Sequence, residues 1–382
     1  MTPSFCSACG TKLPDQVRFC PSCGQFVADA PGAPAAPAPI RSLVPREVTP
    51  QFRGQASEYF GIWIVNVLLS IVTIGIYSAW AKVRRLRYFY GNTELDGHTF
   101  DYHAQPMQIL KGRVLVVGAL ILYQALVAIS PFFSVLLVAY VFALPWAINS
   151  SLAFNARMTS YRNVRFSFQG NYWSAFFIYA VFPVLILLSL GLLLPFFSKL
   201  SGSYVGNRLR FGVAAFRTDM KVGPLYGNLG LSVLFLLGCS VAFAVLIGLI
   251  MVATAGKSVD GREMVAVVPF AIYVSFIVSA VFYRAGVRNV LFGATRLEPG
   301  HQLVSRLNRA KMAWIAVSNT VVTILTIGLM RPWAAIRSYR YTMASSALVV
   351  QGSLDGIVAA AATQGSVVAS EYVDVGGIDL GV

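Results

Sequence analysis

Six long stretches of this chain carry no charged residue: 59–81, 114–156, 166–198, 222–256, 264–283 and 312–330. All 30 Lys and Arg and all 15 Asp and Glu fall between them. A helix that crosses the hydrocarbon core needs about 20 apolar residues, so each run is close to one span or longer. The run 114–156 has room for two, with Ser130-Pro131 as a turn in its middle, which gives seven membrane segments in all. Backbone polar groups in lipid must be satisfied within the segment, so these are helices. With 57% hydrophobic and 12% charged residues, the chain is far from soluble globular composition, where charged residues make up about 25%.

The net charge of +15 would suggest nucleic acid in a soluble protein. In a membrane chain it reads instead as loop charge that fixes topology and meets anionic lipid head groups, and no nucleic-acid partner is expected. The start, MTPSFCSACG, lacks a basic segment followed by an apolar core, so no cleavable signal peptide is expected.

Four parts follow from composition. Residues 1–27 form a cysteine module, and 28–50 form a Pro/Ala-rich linker whose six prolines favour an extended spacer. Residues 51–356 form the membrane body, and 357–382 a weakly ordered tail. The body repeats itself. A shift of 253 residues lays Asn66 on Asn319, Thr73 on Thr326 and Gly75 on Gly328, then Trp80 on Trp333, Arg84 on Arg337 and Arg87 on Arg340. The amides, hydroxyls and glycines among these suit helix packing or a pore lining. Trp80 and Trp333 suit interfacial anchors, with Arg84, Arg87, Arg337 and Arg340 in basic loops beside them. A second pattern, RNVRFSF at 162–168, NRLRFGV at 207–213 and RNVLFGA at 288–294, reads as short extended segments at the membrane surface. The expected fold is all-α and polytopic, with internal repeats, such surface segments and a small N-terminal zinc ribbon.

In the cysteine module, Cys6 and Cys9 form one CxxC pair and Cys20 and Cys23 another. Four thiolates at that spacing present a tetrahedral, closed site to Zn²⁺, which makes the metal structural rather than catalytic. Thiolates persist in a reducing compartment, so the N-terminus is expected in the cytosol. There the ribbon offers a surface for a protein partner.

The stretch FGIWIVNVLLSIVTIGIYSAWAKVRRLRYFYGNTELDGHTFDYHA and the ILKGR that follows it resemble the bacterial inner-membrane proteins of domain-of-unknown-function family 898. The resemblance covers the body from about Phe52 onward and is densest over 60–113. It implies location and fold, and brings no catalytic residues.

Two topologies compete. If all seven segments cross, the 30 basic residues divide 16 to 14 across the membrane, and the positive-inside rule has nothing to read. If 59–81, 166–198 and 312–330 enter and leave on one face while the other four segments cross as two hairpins, only Lys257 and Arg262 stay outside. The second arrangement is preferred. The six uncharged runs contain no acid, base or His, so no proton relay is expected within them. No nucleophile elbow or phosphate loop is present, and no enzyme activity is expected. The expected function is permeation or transport of a small solute; the alternative is a membrane scaffold or envelope sensor that works through the zinc ribbon.

Overall fold

The computed structural model describes residues 45–255 and 261–361. The cysteine module, most of the linker and residues 362–382 lie outside the described residues. The chain begins with strands β1 (Arg46–Val48) and β2 (Gln51–Phe52), then helices α1 (Ala56–Val72) and α2 (Ser78–Gly91), and strands β3 (Thr93–Leu95) and β4 (His98–Tyr102). Next come α3 (Pro106–Ile129), a 3-10 turn at Pro131–Leu136, α4 (Leu137–Met158), β5 (Thr159–Tyr161) and β6 (Val164–Phe168). Helix α5 (Tyr172–Phe176) passes through one π turn into α6 (Phe182–Leu188), followed by α7 (Leu194–Arg208), β7 (Leu209–Phe211) and β8 (Ala214–Thr218). The last elements are α8 (Val222–Ala255), α9 (Gly261–Gly293), β9 (Thr295–Leu297), β10 (His301–Ser305), α10 (Arg309–Leu325), α11 (Arg331–Ala344) and β11 (Ser346–Val350).

All eleven strands belong to one antiparallel sheet, with β1 at one edge and β2 at the other. Only Thr49 and Pro50 separate those two strands, and two residues reach no more than about 10 Å. The sheet therefore curls until its edges meet, which removes the exposed edges an open sheet would leave. Alternation along the strands sorts the residues. Leu95, Tyr161, Phe211, Phe216, Leu297 and Val350, from strands all round the sheet, share one buried core. Arg165, Arg210, Arg217 and Arg296 stay outside. The all-α expectation is thus corrected: the body is mostly helical but is organised on a sheet. The extended segments expected at 162–168 and 207–213 contain β6 and β7; their pairing into one sheet went unread because no strand exceeds five residues, too short for a strong period-2 signal.

Five helical hairpins leave this sheet and come back to it. The strand before each and the strand after it are paired neighbours: Phe52 with Thr93, Tyr102 with Thr159, Phe168 with Leu209, Thr218 with Thr295, and Ser305 with Ser346. Both ends of every hairpin therefore sit on the same face of the sheet. The second and fourth hairpins hold the four helical stretches long and apolar enough to cross a membrane: Pro106–Ile129, Pro131–Met158, Val222–Ile250 and Val268–Gly293. Ser130 and Pro131 make the turn of the first pair. The first, third and fifth hairpins have shorter arms; α1 and α10, at 17 residues, are each about 26 Å long.

Those three short hairpins share one tip. Helix α1 ends with Ile74 N–H on Ile71 C=O and Gly75 N–H on Ser70 C=O, the Schellman pattern. The same pair of bonds recurs at Leu190-Gly191 and at Ile327-Gly328. Ile74, Leu190 and Ile327 lie at φ near +50°, where an L side chain costs about 1–2 kcal/mol. All three are more than 90% exposed. A shared clasp closes the other end. Tyr88 Oη accepts from Gln55 N–H at 2.8 Å, Tyr204 Oη from Asn171 N–H at 3.0 Å, and Tyr341 Oη from Asn308 N–H at 2.9 Å. Each hydroxyl is also within 3.3 Å of the same residue's carbonyl.

Three boundaries differ from the sequence reading. The end of the 28–50 linker is strand β1. At the start of the segment read as a tail, residues 355–361 are helical, and Leu354 and Ile357 pack into the core of the ring. The heptapeptide at 288–294 is not a surface strand: Arg288–Gly293 belong to α9, and the true counterparts of 162–168 and 209–218 lie at 295–305. The apolar Val-Leu-Phe of RNVLFGA fits a helix face as well as a strand.

Candidate functional site

Three helices each turn one stripe toward a common space between the first and fifth hairpins. Helix α1 contributes Tyr59, Trp63, Asn66, Val67, Ser70 and Ile71; α2 contributes Lys82, Arg85, Leu86, Phe89 and Tyr90. Helix α11 contributes Arg331, Ala335, Ser338, Tyr339, Thr342 and Met343. All three sets follow the i, i+3, i+4 spacing of a single helix face. The open cavity they line has a volume of about 1070 Å³ and is completed by Arg113 from α3 and Arg288 from α9.

Five cations line this space, Lys82, Arg85, Arg113, Arg288 and Arg331, and no carboxylate does. The ion pairs among the described residues, such as Arg46 with Asp96, Arg217 with Glu298 and Arg306 with Glu47, involve none of the five. Arg113 is held by the Ser78 hydroxyl at the foot of the first tip. Arg288 Nη2 bonds Ser346 Oγ at 2.9 Å, while its Nε is buried without a partner. Burial pushes the Lys82 ammonium below its ordinary pKa, and the neighbouring Arg113 and Arg85 charges push it the same way. Asn66 Oδ1 in the cavity wall is buried and also lacks a partner.

The residues paired by the 253-residue shift divide between these tasks. Thr73 and Thr326 cap their helices and bond back to Tyr77 N–H and Met330 N–H, with Gly75 and Gly328 completing the tips. Asn66 lines the cavity, whereas Asn319 is committed to Ala334, Ser338 and Arg337. Trp80 stacks on Tyr77, and Trp333 lies under the Arg337 guanidinium at 5.1 Å. Arg84 reaches over Tyr77 at 5.7 Å.

Arg87 and Arg340, read from sequence as loop charges, are instead ties between neighbouring hairpins. Arg87 Nη2 donates to Ala104 C=O at 3.1 Å, and Arg340 Nη2 donates to Gly54 C=O at 2.9 Å. Ala104 stands just before the N-cap of α3 and Gly54 just before that of α1, so the second tie repeats the first across the closure of the ring.

The sequence reading missed the cavity because Arg113, Arg288 and Arg331 come from three separate hairpins. It also began the run 114–156 after Arg113 and ended the run 264–283 before Arg288, yet both residues stand on helices long enough to span. The alternation of Lys82, Arg85 and Leu86 with Trp63 and Asn66 on adjoining helices was the available signal.

Comparison with known proteins places this arrangement. Residues 48–375 match the family described as bacterial protein of unknown function (DUF898), and residues 5–27 match a zinc-ribbon domain. The inner membrane protein YjgN of Salmonella typhimurium strain LT2 is 24% identical over 353 residues, 80% of this chain and 89% of that protein. Inner membrane protein YjgN of Escherichia coli strain K12 is 33% identical over 148 residues, only 37% of this chain and 36% of the relative. No solved structure matches. With a family match that runs from the first strand of the ring past its last, this chain is a membrane protein belonging to the DUF898 family.

Proposed function

We propose that this chain is a non-enzymatic permeation protein of the bacterial inner membrane, passing a small solute by way of the cavity between its first and fifth hairpins. The observation that carries the reading is the cavity of about 1070 Å³, lined by α1 and α2 of the first hairpin and α11 of the fifth and completed by Arg113 of α3 and Arg288 of α9. Interrupted helices that meet at polar residues within the bilayer are the way many transporters build a substrate path. The exposed apolar tips at Ile74, Leu190 and Ile327 suit insertion into one leaflet, which brings the path close to the opposite face. Of the 30 basic residues, only Lys257, between α8 and α9, and Arg262, at the start of α9, fall at the far end of the fourth hairpin. The positive-inside rule then assigns the sheet to the cytosol.

Purified chain in liposomes tests this. Flux of an ion or small solute above that of protein-free vesicles, lost when Asn66 and Ser70 are replaced by Leu, supports it. Tight vesicles for every solute class tried would remove it.

The zinc-ribbon match at 5–27 supports a second reading, a scaffold or sensor in which the ribbon binds a cytosolic protein. Cys6, Cys9, Cys20 and Cys23 lie outside the described residues, and their four thiolates fit a closed tetrahedral zinc site by donor chemistry. Such zinc would order the ribbon and supply no reaction. Crosslinking in cells should then recover a partner that Cys6→Ser releases.

A further inference from the structure

Resting on the reading above, we propose that the cavity binds an anion of the phosphate-ester class whose alcohol portion also carries a hydroxyl or amine donor. The five cations Lys82, Arg85, Arg113, Arg288 and Arg331 converge on a single space with no carboxylate in its wall. Like charges gathered beside apolar walls repel, and an anion between them adds an attraction to each that offsets the repulsion. Four of the five are arginines, whose planar forks match the oxygens of a phosphate two at a time.

Two unfilled groups narrow the class further. Arg288 Nε is a buried donor with no acceptor, and Asn66 Oδ1 is a buried acceptor with no donor. A bare inorganic anion would satisfy the first and leave the second. A phosphate ester that bears a free hydroxyl or ammonium satisfies both. The Lys82 ammonium, depressed by burial and by Arg113 and Arg85, would recover its ordinary charge beside such a ligand. Trp63, Val67, Ile71 and Leu86 supply apolar wall next to the charges. That combination suits a phosphoglycerol group, whether free or at the head of a lipid.

The test uses the full chain in detergent and a binding isotherm for three probes: sn-glycerol 3-phosphate, a short-chain phosphatidylglycerol and a short-chain phosphatidylcholine, each below its micelle concentration. Lys82 and Arg85 make no hydrogen bond to the protein among the described residues, so Lys82→Gln with Arg85→Gln should leave the fold intact, and Arg331→Gln is the second variant. Arg210→Gln, on the outside of the ring, is the control for charge alone. Saturable binding of phosphatidylglycerol that weakens at least tenfold in both cavity variants, and not in the control, is the expected result. Binding of glycerol 3-phosphate as well identifies a soluble ester as an accepted source; binding of the lipid alone identifies the head group. Failure of both phosphoglycerol probes, equal binding of phosphatidylcholine, or binding unchanged in the cavity variants would each overturn the proposal. Loss of the permeation reading is separable: flux of a neutral solute without ester binding removes this inference alone, and ester binding without any flux removes permeation alone.

Discussion

Asn66 and Asn319 occupy the same position in the first and fifth hairpins, and both are 7% exposed, yet only Asn319 is satisfied. Its Nδ2 donates to Ala334 C=O and Ser338 Oγ, and its Oδ1 accepts from Arg337 Nη1 at 2.9 Å. In the first hairpin the places of Ser318 and Ser338 are taken by Val65 and Arg85, so the network is absent. Asn66, in the cavity wall, is left with a buried carbonyl oxygen that has no partner.

Truncation of the two should therefore have opposite consequences. Asn319→Ala takes one bond from the Arg337 guanidinium, which keeps Ser318 Oγ, and one from the Ser338 hydroxyl, and should cost about 1–3 kcal/mol. Asn66→Ala removes an acceptor that has no partner and should change thermal stability by less than about 0.5 kcal/mol while reducing flux. Thermal unfolding in detergent, measured beside vesicle flux, separates the two.

The tyrosine clasps hold each short hairpin shut at its base. Tyr341→Phe removes the acceptor for Asn308 N–H and should cost about 1 kcal/mol. Tyr204→Phe should cost more, because that hydroxyl also bonds Asn149 Oδ1 at 2.6 Å. Hydrogen exchange at the amides of Asn171 and Asn308 is the direct readout, with faster exchange expected at the residue whose clasp is lost.

At the tips, Gly is the residue the backbone would prefer. Replacing Ile327 by Gly relieves a positive-φ side chain, at φ 51°, and should raise the unfolding midpoint in detergent, by about 1 kcal/mol in stability. If the side chain is there to enter lipid, the same variant should lose retention in bilayers, which flotation with liposomes measures.

His301 sets an acid limit on the ring. Its Nδ1 accepts from Gln351 N–H at 3.1 Å, and the ring is 1% exposed. Burial lowers its pKa from the ordinary 6.5. The unfolded chain thus takes up a proton near pH 6.5 that the folded chain refuses, and the stability present above that pH declines as pH falls through 6.5 toward the folded value. Unfolding followed from pH 8 to pH 5 should show that decline, and His301→Gln should flatten it.

The apolar helices were legible in the sequence because charge is excluded from lipid, though their ends were not, and the shift between Asn66 and Asn319 exposed two of the hairpins. The third was equally open to reading: Ser189-Leu190-Gly191 and Tyr204 repeat Thr73-Ile74-Gly75 and Tyr88 at constant spacing. It was hidden because Phe182 stands where the others have Asn. The ring could not be read, since its closure depends on Arg46–Val48, which sits in a segment dominated by Pro and Ala, and on pairings between strands of two to five residues. The cavity was illegible for a related reason. Lys82 and Arg85 beside a membrane run look like topology charges until Arg113, Arg288 and Arg331 are brought opposite them.

The central claim is that all five hairpins hang from one face of the ring and that only two of them cross. Single cysteines at Ser130, Asn92 and Ser345, in a background with Cys239→Ala and with the ribbon thiols as internal control, can be challenged with a membrane-impermeant thiol reagent in intact cells. The account predicts labelling at Ser130→Cys and protection at Asn92→Cys and Ser345→Cys until the cells are opened. Labelling of Asn92→Cys or Ser345→Cys at the rate of Ser130→Cys would place the ends of a short hairpin on the far face and contradict it.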